Sequence, residues 1–411
     1  MVRVLVIGSG GREHALAWAL SRSSSVDEVV SAPGNPGTGG IGPRMAIDPT
    51  SPEAVVELAD RLAPDLVVVG PEAPLVAGVV DALAARGHLA FGPSGAAAQL
   101  EGSKAWMKAL LVDAGVPTAR HAVFEAGQGE AAKAFLGSLS GLLVVKADGL
   151  AGGKGVTVTR SLAEAERALS ACLSGEAFGA AGRRVVVEEG LVGPELSLLV
   201  LCDGTRAELL APAQDFKRVG EQDAGANTGG MGAYSPVPAA SEDVLAEVME
   251  RVVLPTLATL AERGIEYRGV LYAGLMLTDA GPRVLEYNVR FGDPECQALI
   301  PRLSSDLAAH LVEAASGSLE TPVRWRTEQC VSVVLAAPGY PEAPKVGDPI
   351  VGLEEASRVP ETQVFHAGTE LAEGAVVTAS GRVLAVSSLG PDLAGARARA
   401  YEAAAFLHWP G

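Results

Sequence analysis

Val2-Arg3-Val4-Leu5-Val6-Ile7-Gly8-Ser9-Gly10-Gly11-Arg12-Glu13-His14-Ala15-Leu16 opens the chain: a β-branched apolar run, a glycine turn, then a helix predicted over about 12–20. The pattern repeats, with strands predicted at Val29-Val30 and at 66–69 and helical stretches between them. Such alternation predicts a parallel sheet with helices on its faces. Three of the runs end in glycine-containing loops at 8–11, 33–37 and 70–72, and loops beyond the carboxyl ends of parallel strands form a ligand crevice.

Further along, Ser103 is placed to cap a helix carrying Lys104, Trp106, Met107, Leu110 and Leu111, which Gly115-Val116-Pro117 ends. A compact unit follows at 121–190, with strands predicted at 142–147, 156–158 and 184–188 and a helix after Ser161, small enough to move as a lid. The segment 195–317 holds a hairpin of strands 269–277 and 283–291 joined through 278–282. The remainder carries strands at 331–336 and 383–387 and a helix at 393–407, and no fixed-period repeat is visible.

At roughly one domain per 150 residues, 411 residues predict two to four domains. The 32 Lys and Arg against 49 Asp and Glu leave a charge of −17, which opposes attraction to nucleic acid or to anionic lipid. Cys172, Cys202, Cys296 and Cys330 show neither zinc-site pairing nor disulfide-scaffold density, so reduced thiols are expected. No apolar run approaches the roughly 20 residues of a membrane span and the start lacks a signal-peptide pattern, so a cytoplasmic protein without membrane partners is expected.

Three stretches point to chemistry. Gly8-Ser9-Gly10-Gly11-Arg12 offers backbone amides, a helix N-terminus and a guanidinium fork to a phosphate; a dinucleotide fingerprint would need Gly in place of Glu13. Lys146-Ala147-Asp148-Gly149-Leu150-Ala151-Gly152-Gly153-Lys154-Gly155 joins two strands through a glycine loop whose amides and lysines suit polyphosphate, although it is no Walker motif; the alternative is a hairpin loop with solvated lysines. In Glu286-Tyr287-Asn288-Val289-Arg290 the period of two puts Glu286, Asn288 and Arg290 on one face. Glu286 and Asn288 are hard oxygen ligands suited to magnesium and Arg290 suits an anion, unless this is the solvated face of a sheet. Asp293 reads as a possible helix cap, and 214–218 and 227–232 read as polar loops. The six histidines form no zinc pair and no triad, so structural roles are expected for them.

Together with Ala32-Pro33-Gly34-Asn35, Val69-Gly70-Pro71-Glu72-Ala73-Pro74-Leu75, Leu100-Glu101-Gly102-Ser103-Lys104, 227–234 and 288–295, these stretches resemble the phosphoribosylamine-glycine ligases (glycinamide ribonucleotide synthetases) of the ATP-grasp superfamily, from residue 1 to about 409. The resemblance implies an α/β and α+β multidomain chain. Its parts would be an N-terminal parallel-sheet domain for phosphoribosylamine over 1–101, an ATP-grasp domain over 102–318 with its mobile lid at 121–190, and a small C-terminal α+β domain over 319–411.

It implies ATP, magnesium or manganese, and the small-molecule substrates glycine and 5-phosphoribosylamine, acting in a monomer. Lys104, Lys146, Gly152, Gly153 and Lys154 would hold ATP phosphates, Glu188, Glu189 and Leu191 the adenine, Glu195 the ribose, and Glu286 and Asn288 the metal. Gly10, Gly11, Arg12, Glu13, Asn35 and Glu72 would face phosphoribosylamine, and Asp215, Gly230 and Arg290 would place glycine and the amine. Gly152 stands where Ala is common in such chains, and such chains usually continue past His408-Trp409 with a short segment containing Asp-Ile-Gly. Without the resemblance, the motifs support an ATP- and magnesium-dependent enzyme without choosing ligase over kinase. A nucleotide-dependent oxidoreductase would leave the second glycine loop and the Glu286 strand idle, and a non-catalytic nucleotide sensor would form no product.

Overall fold

The computed structural model describes residues 2–150, 155–176 and 182–410. Its first strands are β1 (Val2–Gly8), β2 (Val26–Pro33), β3 (Leu66–Val69) and β4 (Ala90–Phe91), in the order β2-β1-β3-β4 and all parallel. β1 is interior to that sheet, and Val4, Leu5, Val6 and Ile7 are fully buried, as a strand covered on both faces requires. It delivers Gly8 to the carboxyl edge, where the helix Gly11–Leu20 begins.

The next unit is antiparallel: β5 (His121–Glu125), β6 (Leu143–Ala147), β7 (Val156–Thr159) and β8 (Arg184–Glu189), ordered β5-β8-β6-β7. Ser161 caps the helix Leu162–Leu173, which covers this sheet. The unit has a core of its own around Phe124, Leu136, Val145, Leu169 and Val187. A separate core runs without a break from Leu5 and Ile7 of the first sheet to Leu198, Leu271 and Tyr287 of the third.

The third sheet is formed by β9 (Glu195–Asp203), β10 (Ala207–Leu209) and, after four short strands, the hairpin β15 (Arg268–Thr278) and β16 (Gly281–Asn288), ordered β10-β9-β15-β16. The four short strands are β11 (Gln214–Asp215), β12 (Arg218–Gly220), β13 (Ala224–Asn227) and β14 (Gly232–Ser235). Then come β17 (Gln329–Ala336), β18 (Thr362–His366), the small hairpin β19 (Thr369–Ala372) with β20 (Ala375–Thr378), and β21 (Arg382–Gly390) before the helix Leu393–Ala404. The last sheet is ordered β11-β14-β17-β21-β18, so it draws two strands from the middle of the chain.

Some sequence expectations are corrected here. The polar stretches 214–218 and 227–232 are not purely loops, because β11 pairs with β14 and β12 with β13. β16 ends at Asn288, so Arg290 lies beyond the strand and reaches the Asn288 side chain by folding back. Asp293 does not cap the helix Glu295–Leu299; it accepts from Gln297 Nε2 at 2.8 Å. All four cysteines are free and buried, and among the described residues no helix is long and apolar enough to cross a membrane.

The first and last sheets are tied through His14 and His366. The His366 backbone amide donates to His14 Nδ1 at 2.8 Å, and the rings lie 5.6 Å apart. Burial, and for His14 the neighbouring His366, push these imidazoles down to about 3 and about 4. Both stay neutral in the folded chain while the unfolded chain takes up protons near pH 6.5, so stability is lost as pH falls through that window. From pH 7 to 5 the His14 share is roughly 2 kcal/mol. In urea unfolding at the two pH values, His14→Gln is expected to lose less stability on acidification than the parent chain.

Candidate active site

A cavity of about 1790 Å³ lies between the 121–190 unit, the third sheet and the C-terminal sheet. Its wall takes Lys104 from the helix Lys104–Asp113, Lys146 from β6, Glu188 from β8, Glu195 from β9 and Asp215 from β11. Glu286 and Asn288 come from β16, and Arg290 follows them. Arg12, Glu72, Glu189 and Leu191 also reach the wall, so most of the residues singled out from the sequence meet in one space.

The Glu286 carboxylate has no hydrogen bond or ion pair among the described residues, yet four cations act on it. Burial would raise its pKa, and Lys217, Lys146, Lys104 and Arg290 together lower it, so it stays ionised. The opposing effect falls on Lys104, whose pKa burial lowers while Glu286 resists. Lys104 Nζ donates to the Gly149 carbonyl at 3.2 Å, at the foot of the glycine loop.

The other cations are each tied to a carboxylate. Lys217 Nζ donates to both oxygens of Asp215 at 2.8 and 2.7 Å, and against the cost of burial Tyr272, Asp215, Glu195 and Glu286 raise its pKa well above the usual value. Arg290 Nη2 donates to Glu101 Oε1 at 2.6 Å and to Asn288 Oδ1 at 2.9 Å, and its Nε lies 3.3 Å from Glu72. Burial would lower the Arg290 pKa, but Glu101 and Glu72 raise it, so it is a permanent cation. Glu295 accepts from the Tyr272 hydroxyl at 2.6 Å, and burial, with Asp215 nearby, raises its pKa.

Several of the expected site residues have partners within the scaffold or lie outside the cavity wall. Glu13 is 2% exposed, accepts from the Gly10 amide at 2.7 Å and pairs with Arg12 Nε at 2.5 Å; it locks the first turn of its helix and is not in the cavity wall. Gly8, at φ +127°, leaves it the room, since a Cβ there would sit 2.5 Å from Glu13 Cγ. Asn35 Nδ2 donates to the Ser9 and His366 carbonyls, each at 2.8 Å, which commits it to joining distant segments. Gly10, Gly11 and Gly230 lie outside the wall as well. Gly230 has φ +113° and packs against Pro294, and Arg382 Nη1 donates to the Gly229 carbonyl at 2.7 Å beside it. The carboxylates of Glu188 and Glu189 are also engaged, Glu188 with two lysines and Glu189 with the Arg120 amide at 2.9 Å. Gly152, Gly153 and Lys154 lie outside the described residues.

Sequence reading missed Glu101, Lys217, Tyr272, Glu295 and Arg382. Glu101 and Glu295 stand inside quoted motifs and Lys217 inside a flagged stretch, but nothing local shows that they converge. Among the described residues no group of three or more His, Cys, Asp or Glu side chains gathers to hold a metal.

Residues 2–101 match the family described as phosphoribosylglycinamide synthetase, N domain; residues 102–296 match its ATP-grasp (A) domain and 330–411 its C domain. The phosphoribosylamine–glycine ligase of Mesorhizobium japonicum is 48% identical over 410 residues, covering 100% of this chain and 96% of that one. The enzyme of that name from Escherichia coli O157:H7 is 48% identical over 414 residues, covering 99% and 96%. Among solved structures, the phosphoribosylamine–glycine ligase of Thermotoga maritima superposes with a TM-score of 0.85 at 36% identity, covering 100% of this chain and 98% of that one. The biotin carboxylase domain of Hydrogenobacter thermophilus 2-oxoglutarate carboxylase, solved with MgADP, ADP and bicarbonate, shares the fold with a TM-score of 0.75 at 18% identity, covering 100% and 90%.

The scaffold role of Glu13 has a measurable outcome. Glu13→Ala removes one partner of a buried ion pair and a cap, and is expected to cost about 3 kcal/mol in urea unfolding.

Proposed function

The chain belongs to the phosphoribosylglycinamide synthetase family, and from that membership we propose how its cleft brings ATP, glycine and 5-phosphoribosylamine together through a glycyl phosphate. Its net reaction is the ATP-dependent ligation of glycine to phosphoribosylamine, a step of purine biosynthesis. The observation that supports the site assignment is the meeting of Lys104, Lys146, Glu286, Asn288 and Arg290 in one wall.

A carboxylate is a poor electrophile. A glycine carboxylate oxygen would attack the terminal phosphoryl group of ATP, releasing ADP and leaving an acyl phosphate. The amine of phosphoribosylamine would then attack the acyl carbon, phosphate would depart with the C–O bonding pair, and the amine proton would pass to solvent or to a wall carboxylate. No covalent nucleophile from the protein is needed, so catalysis rests on positioning and on charge placed in advance.

Lys104 and Lys146 are the groups for ATP phosphates, aided by the 149–155 loop, with adenine against the backbone from Glu188 to Leu191 and ribose at Glu195. Arg12 and Glu72 are assigned to phosphoribosylamine, with Gly10, Gly11, Glu13 and Asn35 shaping the turn beneath. Asp215 and Arg290 are assigned to glycine and the incoming amine, with Gly230 holding the adjoining loop. Glu286 fits a hard divalent cation, magnesium or manganese, because it is ionised and unclaimed by any described side chain, and Asn288 adds a neutral oxygen. Bound there, such an ion would neutralise phosphate charge.

Closure of the 121–190 unit would exclude water, to which an acyl phosphate is vulnerable. Its separate core allows it to move without disturbing the rest. We also place the enzyme in the cytoplasm, which the four free cysteines support, and take it to act as a monomer.

Phosphate release should require glycine and freshly made phosphoribosylamine together, with the mass of glycinamide ribonucleotide in the product. ATP turnover without that mass would point to a different amine or carboxylate. Lys146→Ala and Glu286→Ala are each expected to lower kcat/KM about 10²- to 10³-fold. Full activity in both would remove the site assignment.

A further inference from the structure

Lys108 is fully buried on the helix Lys104–Asp113, one turn beyond Lys104, and does not reach the cavity. Its Nζ donates to Glu188 Oε2 at 2.6 Å and to Thr118 Oγ1 at 2.7 Å, and that hydroxyl donates in turn to the Val284 carbonyl at 2.7 Å. The other Glu188 oxygen is in ionic contact with Lys146 Nζ, which also donates to the Leu285 carbonyl at 3.1 Å, next to Glu286. One carboxylate thus lies between two ammonium groups, one sealed in the interior and one facing the cavity.

A buried lysine is costly, and an apolar side chain of similar volume would usually serve packing as well or better. Burial pushes the Lys108 ammonium down to about 8, with Glu188 the chief group resisting and Lys146 and Glu286 acting at longer range. What the lysine adds is charge balance. Glu188 and Lys146 alone sum to zero; with Lys108 the trio carries one net positive charge, expressed at the only member of the pair of lysines that faces the cavity. Without Lys108, both carboxylate oxygens would be free to draw Lys146 inward and to repel a polyphosphate.

We propose that Lys108 is a positioning residue for the ATP site, acting through Glu188 to hold Lys146 outward and positively charged. This rests on the reading above that Lys146 meets ATP phosphates. Lys108 itself touches no reactant.

The test uses the full-length enzyme as Lys108→Met, Glu188→Gln and the double variant, with KM for ATP, KM for glycine, kcat and thermal melting measured for each. Lys108→Met should raise KM for ATP about tenfold or more while leaving KM for glycine unchanged. The double variant restores the net charge and should bring KM for ATP back to within about threefold of the parent. A folded Lys108→Met with unchanged KM for ATP would overturn the proposal, as would a double variant no better than the single. If Lys108→Met does not fold, the double variant decides: a near-parental KM for ATP supports the role and a tenfold rise refutes it. Lys146→Ala separates the two levels. An unchanged KM for ATP there defeats the ATP-site reading itself, whereas a raised one beside an intact Lys108→Met defeats only the positioning role.

Discussion

An ionised carboxylate without a described protein partner, Glu286, faces Lys217, Lys146, Lys104 and Arg290, and the cleft is arranged around that imbalance. Like charges gathered in one cleft repel, by on the order of 4 kcal/mol for a pair at about 4 Å with an effective dielectric constant near 20. The cleft answers by giving cations their own anions: Asp215 for Lys217, Glu101 for Arg290, Glu188 for Lys146. Each lysine or arginine is thereby held in place before a ligand arrives, so little reorganisation remains for binding. A chain with net charge −17 still gathers four cations about one carboxylate, because the local arrangement is independent of the total.

The same economy separates stiff parts from movable ones. β9, β15 and β16, which bring Glu195, Glu286 and Asn288, share a continuous core with the first sheet, and that wall is held by its packing. β6 and β8, which bring Lys146 and Glu188, belong to a unit with its own core. The contact of Lys146 with the Leu285 carbonyl and that of Lys108 with Glu188 cross the junction between them. Polar contacts of this kind can be kept or exchanged during a closing motion, whereas a shared apolar core would resist it.

Much of this was legible in the residues. β1, β3 and the glycine turns followed from apolar runs and punctuation, because strand periodicity and turn chemistry are local. Lys146 and Glu286 stood out because such residues beside glycine turns or alternating with apolar ones have few scaffold uses. Glu13 and Asn35 were expected at a substrate only from the family resemblance and are buried in the framework, where their partners, the Gly10 amide and the His366 carbonyl, include one from more than 300 residues away. Lys108 gave no signal, because a lysine four positions after another on a helix resembles a solvated face. Glu101 and Arg290 meet only when the N-terminal segment packs on the end of β16.

The C-terminal sheet has a consequence for how this architecture can be taken apart. Its middle pairing, β14 with β17, sets Tyr234 opposite Val331 and Ser235 opposite Cys330, so strands from either side of residue 319 are hydrogen-bonded neighbours. Residues 319–411 are therefore not a detachable module: cutting there leaves β14 with an unpaired edge in one fragment and β17 with another in the other, both open to adventitious pairing. The sheet is complete only where 214–235 and the C-terminal strands are held together, so the structural unit in this region is the sheet, not the sequence interval.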